Sequence, residues 1–205
     1  MTKNEEIRSA LAALESIDDD ARAKAIELLG EQQVVEAVPK ILEILEFADP
    51  GTRFIAVKAL GRMGDAQAVP ALLEHLRGDD IFTRAAATGA LISMGSHAVD
   101  GLTEALRDAD KKVRRAAAKA LGKIGESGDS DIVIRRLSTA LLDVDDAVRQ
   151  FAAEAIGRLG AEGMVPELTE VLDDRNPKVR IAAFRALANI NTPEASQAVR
   201  KWVRE

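Results

Sequence analysis

Four stretches of the chain are variations on one phrase. They read "TRFIAVKALGRMG" at 52–64, "VRRAAAKALGKIG" at 113–125, "VRQFAAEAIGRLG" at 148–160 and "VRIAAFRALANIN" at 179–191. Self-similarity at a fixed period is the mark of a repeat architecture, in which each unit buries its apolar face only against its neighbours. One arginine sets the phase: Arg22, Arg53, Arg84, Arg114, Arg149 and Arg180, at spacings of 31, 31, 30, 35 and 31 residues. Four residues before each stands Asp18, Asp49, Asp80, Asp110, Asp145 or Asn176. A short side-chain acceptor at that point caps the free amides of a helix start. An acid four residues ahead of an arginine also brings opposite charges within reach. We read this ladder as structural, capping each helix and tying neighbouring repeats, in preference to an anion site.

Each arginine-bearing helix is expected to end near a glycine, at Gly30, Gly64, Gly95, Gly125 and Gly160, with Asn191 in the last unit. Both residue types accept the left-handed backbone of a helix C-terminus. A second helix then starts, often with proline in its first turn, as in "AVPKILEIL", "AVPALLEHL" and "MVPELTEVL". Proline is tolerated there because first-turn amides have no partner within the helix. Each repeat is therefore a pair of antiparallel helices. The expected fold is all-α: a right-handed α-solenoid of about six helix pairs, one domain over residues 1–205. Capping helices are expected at both ends, over 4–15 with Ile7, Leu11 and Leu14 on one face, and over 194–203 with Trp202. The longer step between Arg114 and Arg149 implies about four extra residues, placed in a loop within "GESGDSD" after Gly125.

In "DKKVRRAAAKALGKIG", Val113, Ala117, Ala120, Leu121 and Ile124 form one helical stripe, and Lys112, Arg115, Lys119 and Lys123 form another. The alanines permit close packing. Together with "GDAQAVPALLEHLRGDD", this stretch resembles HEAT-like repeats of the phycobilisome-lyase type, over nearly the whole chain. That resemblance implies that the arginine-bearing helix lines a concave surface. The corresponding positions elsewhere are Phe54, Ile55, Lys58 and Arg62; Ile81 and Phe82; Phe151 and Arg158; and Arg185. Phe54, Ile55, Ile81 and Phe82 are expected to be neighbours in an exposed apolar patch, a common mark of a binding surface. Aromatic side chains beside arginine are frequent anchors of interfaces. The second helices carry Glu43, Glu46, Glu74, Glu104, Glu167 and Glu170, which implies an acidic outer surface.

Composition narrows the chemistry. The net charge is −6, which argues mildly against bulk nucleic-acid binding. Cysteine and tyrosine are absent, so no thiolate or phenol is at hand. The two histidines, His75 and His97, lack a second histidine at metal-ligand spacing. The several His-Glu dipeptides that hold two irons in deoxyhypusine hydroxylase, another repeat-built family, are missing, and Glu74-His75 is the reverse order. Paired acids such as Asp79-Asp80 and Asp145-Asp146 fall at turns, where capping accounts for them. No apolar run reaches the roughly 20 residues that span a bilayer, and the polar start resembles no secretory signal, so a cytoplasmic location is expected. The leading expectation is a non-enzymatic scaffold, without cofactor or metal, that grips a partner protein with an acidic and apolar surface. The family resemblance implies an alternative, a bilin lyase or chromophore-handling protein acting as one subunit of a heterodimer. A third reading is nucleic-acid binding through the Lys111–Lys123 stripe.

Overall fold

A computed structural model describes residues 2–78, 80–128 and 130–204, so Asp79, and Asp129 within "GESGDSD", lie outside the described residues. Thirteen α-helices occupy most of the described chain, and no strand occurs among these residues. The chain divides into two compact units, Met1–Gly101 and Leu102–Glu205.

The first unit contains α1 (Lys3–Ala13), α2 (Asp19–Glu31), α3 (Val38–Phe47), α4 (Pro50–Met63), α5 (Val69–Glu74), α6 (Ile81–Ser93) and the start of α7 (Ser96–Ala105). Its arginine-bearing helices pack in series, α2 on α4 and α4 on α6, with α3 against α4 and α5 against α6. The core between them is aliphatic: Ile26, Leu29, Ile41, Leu60, Leu72 and Leu91 are fully buried. The second unit contains α8 (Lys111–Ser127), α9 (Ser130–Ser138), α10 (Asp146–Arg158), α11 (Val165–Val171), α12 (Pro177–Ile190) and α13 (Pro193–Arg204). Here α8 packs on α10 and α10 on α12, around Leu121, Leu137, Ile156 and Leu168. The terminal α13 lays Trp202 against Phe184, with ring centroids 5.9 Å apart.

The helix starts are built as their sequence dictates. Each of the six N-cap side chains accepts a hydrogen bond from the amide two residues on, as in Asp49 Oδ1 to Gly51 N at 2.8 Å, Asp110 Oδ1 to Lys112 N at 2.8 Å and Asn176 Oδ1 to Lys178 N at 2.9 Å. Pro39, Pro70 and Pro166 sit in the first turns of α3, α5 and α11. The arginines act differently from the expected pairing with their own caps. Each donates backward to a carbonyl five or six residues earlier: Arg22 to Ser16 O, Arg53 to Ala48 O, Arg84 to Gly78 O, and Arg180 to Asp174 O. In the second unit Arg114 and Arg149 also reach forward to the next repeat. Arg114 makes a two-pronged bond to Asp143 at 2.8 and 3.0 Å, and Arg149 does the same to Asp174 at 2.6 and 2.9 Å. The matching position in the first unit holds Phe47 or Gly78, which offer no carboxylate.

Two of the expected helix-ending glycines have another role. Gly64 and Gly160 do take the left-handed backbone, at φ of 71° and 65°, as does Asn191 at 53°. Gly30 lies inside α2, and Gln33 takes the positive φ instead. A methyl at Gly30 would stand 2.6 Å from Ala59 Cβ, so this glycine is there for close helix approach. The same lock recurs at Gly61 with Ala90, Gly122 with Ala155 and Gly157 with Ala186. Gly125 is likewise buried inside α8. The extra residues after it lengthen that helix to Ser127, so the expected loop insertion is, up to that point, continued helix.

Candidate functional site

On the first unit, α4 and α6 open a cleft of about 480 Å³. Phe54 from α4 and Phe82 from α6 line it, together with the small residues Ala85, Ala86 and Gly89. The cause is local: positions 54, 58 and 61–62 recur on one side of α4, and 82, 85–86 and 89 on one side of α6. Phe82 is 72% exposed, unusual for a phenyl ring. Lys58 places its ammonium 5.3 Å from the centre of the Phe54 ring, within cation–π range. Arg62 borders the cleft, 3.7 Å from Glu31, in an exposed pair of small energetic value. Of the other apolar candidates, Ile81 is exposed and Ile55 half-buried, and neither lines this cleft.

On the second unit, the expected basic stripe is largely spoken for. Arg115 forms a two-pronged bond with Asp145 at 2.7 and 2.6 Å. That arginine holds the Asp145 carboxyl below its usual range. Lys123 bonds Glu126 at 2.8 Å, and Arg158 bonds the same carboxylate. Lys123 and then Arg158 hold Glu126 below the ordinary glutamate range. Lys112 is exposed at the start of α8. Lys119 and Arg185 are exposed and make no ion pair among the described residues. Phe151 is half-buried on α10. The signal that sequence spacing missed is that Arg115 and Arg158 meet acids some thirty residues away, Asp145 and Glu126, once repeats are stacked.

Elsewhere, His75 is half-buried, and its Nε2 has no hydrogen-bond partner among the described residues. Burial, with Arg53 adding to it, holds its imidazole below the ordinary histidine range against the opposing pull of Glu74. No group of three His, Asp or Glu side chains among the described residues converges as a metal site would require. Among the described residues, no helix is long and apolar enough to cross a membrane.

Stacked helix pairs, caps at fixed phase and interlocking small residues define an α-helical repeat protein. Matches to HEAT repeats span residues 7–92, 78–144 and 134–205, and the chain belongs to that family. Among solved structures, it is similar to an engineered protein at 25% identity and a TM-score of 0.55, over 93% of this chain and 99% of that one. A second is a chain of the complex of CpcE and CpcF of phycocyanin lyase from Nostoc sp. PCC7120, at 25% identity and 0.54, over 74% of this chain and 98% of that one. A third is a designed armadillo repeat protein in complex with the peptide (KR)4, at 19% identity and 0.54, over 91% of this chain and 100% of that one. The last likeness bears on the fold alone. No curated protein matches the sequence significantly.

Proposed function

We propose that the chain is a non-enzymatic scaffold that holds a segment of a partner protein on the face of its arginine-bearing helices. The observation that carries this reading is the cleft between Phe54 and Phe82, with Lys58 and Arg62 at its edge. Two phenyl rings among small lining residues suit an inserted apolar side chain. The flanking cations suit an acidic neighbour, and they act mainly on association rate and its salt dependence. Exposed Ile81 and half-buried Ile55, neighbours in sequence of Phe82 and Phe54, are assigned to the same partner-binding face. Lys112, Arg115, Lys119, Lys123, Phe151, Arg158 and Arg185 make up the corresponding face of the second unit, with Lys119 and Arg185 the cations most open to a partner. The test is affinity capture from an extract of the source cell, with wild type beside a Phe54→Asp/Phe82→Asp variant of unchanged far-UV circular dichroism. A protein retained by wild type alone supports the cleft; identical retained sets refute it.

A second reading is the handling of a bilin, favoured by the likeness to the phycocyanin lyase complex. In it the chain is one half of a heterodimer, and the phenyl rings bracket a tetrapyrrole whose carboxylates meet Lys58 and Arg62. Co-expression with a bilin source and a CpcE- or CpcF-like partner would then yield visible absorbance that copurifies with the chain. Colourless protein under those conditions removes this reading.

A further inference from the structure

The second unit carries a larger cleft, about 570 Å³, at the edge where the turn before α10 meets α11. It is distinct from the α4–α6 cleft, and it has a counterpart within the same chain. A shift of 127 residues, the distance from Arg22 to Arg149, lays it over a cleft of about 340 Å³ in the first unit. There the acids are paired from within the chain. Lys40 reaches Glu15 at 3.0 Å and Glu43 at 3.2 Å. These two carboxylates raise the Lys40 pKa, Glu15 first. In the second unit the lysine is replaced by Glu167 and Glu15 by Leu142, while the second acid remains as Glu170. The site therefore keeps one acid but has lost the lysine that pairs with it.

The other charges around it are committed. Asp143 is held by Arg114 and Asp174 by Arg149. Arg175 donates to Val144 O at 2.9 Å. Glu167, Glu170 and Asp173 remain exposed and make no ion pair among the described residues. Beside them Leu142 is 80% and Val144 78% exposed. Against the one positive charge of Arg175, the three carboxylates leave the cleft negative. Glu167 and Glu170 lie three apart on α11, so both carboxylates fall on one side of the helix.

We infer that this cleft docks a basic segment of a partner protein, seating an arginine or lysine between Glu167 and Glu170 and an adjacent aliphatic side chain on Leu142 and Val144. The incoming cation does from outside what Lys40 does from inside in the first unit. Long cationic side chains bury their stems on apolar surface while keeping the charge at the rim, which is the combination of surfaces present here.

The probe is a fluorescein-labelled peptide of alternating arginine and leucine on glycine-serine spacers, followed by anisotropy against the full chain at several salt concentrations. Wild type is expected to bind, more weakly as salt rises. Glu167→Lys, which rebuilds the arrangement of the first unit, and Glu170→Lys are each expected to weaken binding by about tenfold or more. Leu142→Ser should weaken it by a smaller factor, and Phe82→Asp should leave it unchanged, which separates this site from the α4–α6 cleft. All these positions are exposed, and circular dichroism verifies that each variant folds. The inference is overturned if wild type fails to bind, if Glu167→Lys binds as well as wild type, or if a peptide with glycine in place of leucine binds equally. Self-association abolished by Glu170→Lys would also overturn it, by assigning the cleft to a second copy of the chain.

Discussion

Gly157→Ala should destabilise the protein, although helix propensity alone says the opposite. An interior glycine costs a helix about 1 kcal/mol relative to alanine, so on local grounds the change is favourable. The tertiary term opposes it. A methyl at Gly157 would stand 2.5 Å from Ala186 Cβ, about 0.9 Å short of the 3.4 Å at which ordinary contact begins. The obstacle includes the Ala186 backbone, which no rotamer change can move. Helices α10 and α12 must therefore separate, and overpacking of this kind costs roughly 1–3 kcal/mol. The net effect is a loss of up to about 2 kcal/mol after the propensity gain is subtracted. Gly89→Ala is the matched control, also inside a helix but with nothing within 4 Å of the added methyl. It should gain up to about 1 kcal/mol. Urea unfolding followed by far-UV circular dichroism measures both, and the two midpoints should move in opposite directions. If Gly157→Ala is as stable as wild type, the glycine–alanine lock is not what sets the spacing of these helices.

Other outcomes follow from the ion pairs and the buried imidazole. Arg149→Ala strands Asp174 and two carbonyls in a site where the arginine is only 5% exposed, and it should cost roughly 3 kcal/mol in the same assay. The carboxyls of Asp174 and Asp145 are held below the usual range by Arg149 and Arg115 respectively. Depressed folded-state values mean stability that is present above the unfolded value of about 3.9 and lost as pH falls through the folded one. The protein should thus weaken below about pH 4, and Arg149→Ala should show a shallower acid limb. His75 should titrate below the ordinary value of about 6.5 in an NMR titration of its ring protons, so stability should fall as pH drops from there. A His75 value at or above 6.5 would contradict the burial of its ring nitrogen.

Local rules reached some features and not others. The six caps were readable because a cap is a contract between residues two or three apart. Phe54 and Phe82 were placed on the arginine-bearing helix face by the 3.6-residue period, and both line the same cleft. The true acceptors of Arg114 and Arg149 were not readable from their own repeat. Asp143 and Asp174 lie 29 and 25 residues further on, and only stacking gives them meaning. Gly30 and Gly125 occupy the places where a cap glycine belongs, and nothing short of a neighbouring helix reveals that they serve approach instead. The basic stripe looked free for the same reason: Arg115 and Arg158 find their acids 30 and 32 residues away.

The glycine–alanine lock has a bearing on how such chains can be cut and rejoined. In each pair the glycine belongs to one repeat and the alanine that fills it to the next, 29 residues later in three of the four cases. The heritable module is then the junction, not the helix pair. A graft that imports a whole repeat must bring its glycine to a host alanine and its alanine to a host glycine. A donor repeat lacking either half will fold its own helices yet sit off-pitch against its new neighbour.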